Sequence, residues 1–137
     1  MAELRFDLIH VYDPGKPGIS VPVDLKLGEN VVFVTAKLDT GSSFCIFTRE
    51  TGEALGLDIE SGIPEQISTA TGSFRAYGHE VTLLAIGFEL NAMVYFTAMS
   101  DFGRNVLGRH GWMQQLRIGI VDYDGLLYLG LYEQGVS

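Results

Sequence analysis

Apolar residues in this chain recur mostly at every second position, in short runs broken by glycine and proline. "ELRFDLIHVYD" sets Leu4, Phe6 and Leu8 against Glu3, Arg5 and Asp7, which predicts a strand over 3–12 with one wet face. "DPGKPG" (13–18) reads as a loop, because its prolines and glycines cannot continue a ladder. "VPVDLKL" (21–27) predicts a second strand, with Pro22 restricting it to an edge or a first position. A turn at "GEN" leads into "VVFVTAKL" (31–38), a third strand expected to be mostly buried. Thr48 is placed to cap a short helix, with Glu50 and Glu53 near its positive end and Gly56 closing it in the left-handed conformation. Residues 63–99 then read as a series of strands with glycine turns at 72, 78 and 87. "NVLGRHGWMQQL" (105–116) holds an apolar pair, a glycine and a run suited to a short helix. "RIGIVDYDGLLYLGLYE" (117–133) reads as a final hairpin around Asp124-Gly125. About nine strands and one or two short helices define an all-β class, with no internal repeat.

Composition sharpens this picture. A length of 137 residues suits one domain over 1–137, and 47% hydrophobic residues suit a folded core. The net charge of −8, from 17 acids against 9 bases, speaks against nucleic acid and against an anionic membrane surface. It reads as a solubility feature. A lone cysteine, Cys45, forms no internal disulfide, and no apolar run is long enough for a leader or a membrane span, so the cytoplasm is the expected location. Cys45 sits among Phe44, Ile46 and Phe47 and reads as a buried, inert thiol. His10, His79 and His110 are far apart in sequence, so no metal and no cofactor is expected. Ser42-Ser43 lacks the Gly-x-Ser-x-Gly setting of a serine hydrolase, and no glycine-rich phosphate loop with lysine occurs.

The candidate chemistry lies in "AKLDTGSSFCIF" (36–47), where an apolar strand stops at Asp39-Thr40-Gly41-Ser42 and an apolar segment resumes at once. Taken alone, Asp-Thr-Gly is either a polar turn or a catalytic carboxylate held in a tight loop. Gly41 suits such a loop by tolerating a turn that a Cβ would obstruct. Ser42 is placed to donate to Asp39 and so to favour its charged form, the basis for expecting a modestly acidic pH optimum. Lys37 lies two residues before Asp39 and shares its side of the strand. It either faces the cleft and touches substrate or follows a bend out to solvent.

The order of "LDTGS", the glycine-tipped hairpin "TATGSFRAYG" and the tail "VLGRHGWMQQLRIGIVDYDGLLYLG" resembles that of the retropepsin-type aspartic proteases, including single-domain bacterial members. The likeness runs over roughly residues 25–130. It implies a closed β-barrel of the acid-protease type and an aspartic endopeptidase that hydrolyses peptide bonds with activated water. Asp39, Thr40, Gly41 and Ser42 then form the catalytic loop, with Thr40 bonding across to a partner loop. The hairpin would be a flap, its tip near Thr71-Gly72-Ser73, with Ala70 also against substrate. Val106 would line the subsites, and Gly108 would let the chain pass close behind the catalytic loop.

The chain holds a single Asp-Thr-Gly, whereas the family's chemistry needs two carboxylates. The resemblance therefore implies a homodimer that joins two copies of Asp39, with a peptide or protein as substrate. The chain ends, 3–12 and 126–132, are the candidate interface strands. One position departs from the pattern: many relatives carry an acid where Ser43 stands here, paired with the arginine corresponding to Arg109. The competing reading is an inactive dimerisation or peptide-binding module with the same fold.

Overall fold

The computed structural model describes residues 1–100 and 103–132. Its strands are β1 (Leu8–Val11), β2 (Ile19–Leu27), β3 (Asn30–Leu38), β4 (Ile46–Phe47), β5 (Ile63–Thr69), β6 (Gly72–Ala85), β7 (Phe88–Thr97), β8 (Val106–Leu107), β9 (Leu116–Val121) and β10 (Leu126–Leu131). One short helix, α1 (Arg49–Ala54), follows β4. No helix among the described residues is long and apolar enough to cross a membrane.

The larger sheet runs β2-β3-β8-β4-β7-β6-β5, and β2 also pairs with β6, so the pairings close into a ring. Pro22 lies where β2 has a neighbour on one side only. Ile19–Pro22 pair with β3, whereas Val23–Lys26 pair with both β3 and β6. A missing N–H is tolerated on that open edge. A smaller antiparallel sheet, β1-β10-β9, holds both ends of the described chain. The main core fills the ring with Leu25, Phe47, Leu83, Phe96, Leu107 and Trp112, and Leu127 and Leu129 of the smaller sheet belong to it. A second cluster of Ile46, Ile67, Ala76 and Val106 lies apart from this core.

Local signals place several boundaries as expected. Thr48 caps α1 by accepting from the Thr51 amide, and Gly56 (φ +89°) ends it in the left-handed region. The guanidinium of Arg49 ties the helix to the following turn through Glu53 (3.1 Å) and Glu60 (2.6 Å). Hydrogen bonding from Arg49 holds the Glu60 carboxyl below its ordinary pKa.

Other expectations are corrected. Gly78 marks no turn; β6 runs unbroken through it, paired with β5 up to Gly78 and with β7 from Ala76 onward. A Cβ at Gly78 would come within 2.9 Å of the Tyr95 ring, so this glycine serves a close approach inside a strand. β3 is not mostly buried: Val31 and Phe33 face outward, Phe33 with 75% of its surface exposed. The first strand is shorter than 3–12 because the chain bends at Asp7, whose amide bonds to Leu129 O (2.8 Å). That bend sends Phe6 against Tyr128 while Leu8 packs on the core, so the two do not share a face. The run after Trp112 makes only a single 3-10 turn, Met113–Gln115.

Candidate active site

β3 carries the chain to Asp39 and ends there. Its last residues pair in parallel with β8, Lys37 with Val106 and Leu38 with Leu107. The Asp39 amide then donates to Leu107 O (3.0 Å), and the Ser42 amide closes the loop onto Asp39 O (3.1 Å). The Gly41 amide donates to Asp39 Oδ1 at 2.9 Å, which orients the carboxylate. Asp39, Thr40 and Gly41 are all exposed in the single chain.

The far side of the loop is held equally firmly. Arg109 N donates to Ser42 O (2.9 Å) and His110 N to Ser43 O (2.8 Å). Phe44 and His110 form a parallel bridge beyond them. Gly108 sits directly behind. A Cβ there would overlap the Phe44 carbonyl oxygen and lie 2.8 Å from Ser42 O, so only glycine lets the two segments meet. Cys45 packs into the same junction, its Sγ accepting from Gly108 N (3.4 Å), and burial pushes its pKa up to about 11.

Asp39 opens onto a cavity of about 870 Å³. The β5–β6 hairpin forms one wall, contributing Gln66, Ile67, Ser68, Thr69, Thr71 and Phe74. Phe44, Ile46 and Val106 supply an apolar surface opposite, continuous with the second core cluster. The Phe44 ring is backed by Tyr95 at 4.8 Å between centroids. Asp39 is the only carboxylate among the described residues that line it.

The structure brings together Asp39, Gly41, Ser42, Thr71 and Val106 at this cavity. Thr40 stands at the loop tip, and its side chain makes no hydrogen bond with any described residue. Ala70 and Thr71 form the two-residue turn of the hairpin, between Thr69 and its partner Gly72. The tip therefore lies one residue earlier than expected. Gly72 and Ser73 begin β6, and Ser73 Oγ accepts from Gln66 Nε2 (2.9 Å).

Of the two readings of Lys37, the structure gives the one away from the cleft: its ammonium donates to Pro17 O (2.9 Å) and Ser20 Oγ (2.8 Å), tying the 13–18 loop to β3. The Ser42 hydroxyl, expected to serve Asp39, does not; it donates to Phe44 O at 2.7 Å and braces the loop internally. The residues that sequence reasoning missed are mainly Phe44, Ile46, Ile67 and Phe74 in the apolar walls, and Arg104. Ile67 and Phe74 are register partners across the hairpin, and alternation from the tip would have found both.

The fold is of the retropepsin-like aspartic protease type. A retropepsin-like aspartic protease from Rickettsia conorii superposes with a TM-score of 0.64 and 20% identity, over 88% of this chain and 96% of that one. The EIAV protease in complex with the inhibitor HBY-793 gives a TM-score of 0.56 and 20% identity, over 72% of this chain and 88% of that one. No curated protein matches the sequence. Residues 21–110 match the aspartyl protease family, and the chain belongs to it.

Proposed function

We propose that the chain is an aspartic endopeptidase whose catalytic dyad is built from Asp39 of two identical subunits. The observation that carries this reading is an exposed Asp39, oriented by the Gly41 amide, as the sole carboxylate among the described residues lining a cleft about 870 Å³ in volume. One such acid lacks the partner that water activation needs. Two carboxylates about 3 Å apart cannot both ionise cheaply, so they share a proton. The charged member then takes a proton from the bound water, and the protonated member polarises the scissile carbonyl. The pair titrates as a unit.

An extended peptide fits between the β5–β6 hairpin and the loop, its backbone lying along strand edges and an apolar side chain against Phe44, Ile46 and Val106. The hairpin acts as the flap, opening to admit the peptide and closing to exclude water. Thr40, exposed and without a partner among the described residues, is available to bond to the facing loop. The smaller sheet, with β1 and β10 paired in it, is the candidate subunit contact. A single buried thiol is in keeping with a cytoplasmic setting.

The test is Asp39→Asn, assayed on a peptide library with circular dichroism as the fold control. Cleavage should vanish while the spectrum is kept. Mixing the variant with wild-type protein at a fixed total concentration, with subunits allowed to exchange, should lower activity as the square of the wild-type fraction, because mixed dimers hold one carboxylate. Persistent cleavage by the variant refutes the role of Asp39, and a linear response to mixing refutes the shared dyad. A peptide-binding module without activity would bind peptides equally well with the Asp39→Asn substitution in place.

A further inference from the structure

We infer that Arg104 is a specificity residue of the cleft, selecting peptides that carry an acidic side chain near the bound apolar one. This rests on reading the cleft as the peptide site. Arg104 and Asp39 are the only charged side chains among the described residues that line the cavity. Arg104 is exposed and makes no hydrogen bond or ion pair with any described residue. Arg49 is engaged with Glu53 and Glu60, Lys26 with Glu89, and Lys37 with Pro17 and Ser20, and of the remaining cations only Arg104 is among the described residues that line the cavity. In a chain of net charge −8, an exposed cation at the cleft locally reverses a field that would otherwise repel acidic peptides.

The placement of Arg104 follows from backbone alternation. Arg104 and Val106 both line the cavity, and Asn105 between them turns the other way. Asn105 is fixed there: its Oδ1 accepts from Thr48 N (3.1 Å) and its carbonyl from Lys37 N (2.9 Å). Arg104 is thereby held one step from Val106 and the apolar wall. A guanidinium in that position meets a carboxylate in two parallel hydrogen bonds, a geometry that lysine does not reproduce. In the dimer each subunit contributes one Arg104, so the preference falls on both sides of the scissile bond.

The experiment uses matched peptides with Glu or Gln scanned through the positions around an apolar anchor. Wild-type protein should favour Glu over Gln in kcat/KM by about three- to tenfold at one or more positions, between the values for a solvated ion pair and a charge-assisted hydrogen bond. The ratio should shrink as salt rises. Arg104→Gln should bring it near one, and Arg104→Glu should shift the preference to Lys. The same ratios, read as binding by fluorescence anisotropy on the Asp39→Asn protein, need no catalysis. If wild-type protein cleaves nothing, the proposed activity fails while the binding ratios still decide the role of Arg104. An Arg104→Gln protein that keeps the wild-type Glu-to-Gln ratio overturns the inference, as does a wild-type protein with no acidic preference.

Discussion

Replacing Gly108 by alanine tests the architecture of the Asp39 loop with one methyl group. Its φ lies outside the left-handed region, so alanine suits the backbone. In open space the change would stabilise the fold by about 0.4–1 kcal/mol through a less flexible unfolded chain. The packing reverses the sign. The new Cβ would stand 2.6 Å from the Phe44 carbonyl carbon and 2.8 Å from Ser42 O, both backbone atoms that no rotamer change can move. The 42–44 segment has to retreat by the better part of an ångström. That stretches the Arg109 N–Ser42 O and His110 N–Ser43 O bonds, now 2.9 and 2.8 Å. Overpacking costs about 1–3 kcal/mol and each weakened bond about 1 kcal/mol, so the net loss should be about 2–4 kcal/mol. Thermal unfolding at matched protein concentration should show a midpoint lowered by about 10 °C. Peptide cleavage should fall with it, since Asp39 moves with the loop. A Gly108→Ala protein as stable as wild type, or more stable, would refute the close approach on which the loop geometry rests.

The Tyr12 phenol donates to Asp122 at 2.5 Å, and that bond, then burial, then the Asp122 charge push its pKa up to about 12 from an ordinary 10.0. The unfolded chain therefore loses this proton first, and stability should fall as pH rises from 10 to 12. Tyr12→Phe should lose less over that window, read as urea midpoint against pH. Trp112 is fully buried with an Nε1 that has no hydrogen-bond partner among the described residues. Trp112→Phe removes that unpaired donor and should stay within about 1 kcal/mol of wild type in urea, while Trp112→Ala should cost about 3–5 kcal/mol. An equal loss in both would refute the unpaired donor. Cys45, buried and with its pKa at about 11, should react with a thiol reagent at neutral pH only as fast as the protein opens. Rapid labelling of the folded protein would contradict that burial.

Much of the Asp39 loop was legible in the sequence because its signals are local. An apolar strand that stops at Asp39, followed by Thr-Gly-Ser, defines where the backbone turns, and the chain turns there. Thr48 and Gly56 mark the ends of α1 for the same reason: a cap and a left-handed residue act on atoms a few positions away. Sequence reading goes astray where a local signal has two uses. Glycine permits a turn, as at Gly87 (φ +82°), or admits a neighbour, as at Gly78 under the Tyr95 ring. Only the pairing of β6 with β5 and then β7 tells them apart. Likewise the apolar run 31–38 reads as buried, but β3 is covered on one face and leaves Phe33 outside.

By itself, then, the sequence determined the all-β class, the loop that presents Asp39, the short capped helix and the presence of one Asp-Thr-Gly per chain. Short-range backbone preferences and the period of side chains along a strand are enough for these. Tertiary structure alone decided what surrounds the acid. Ile46 faces Val106 across a gap in sequence, Ile67 and Phe74 lean over them, Lys37 is drawn off to Pro17 and Ser20, and Arg104 is left at the cleft. These outcomes depend on which distant strands pair and in what register. Every such pairing sets the neighbours of many side chains at once, whereas a sequence pattern constrains each side chain only against those nearby.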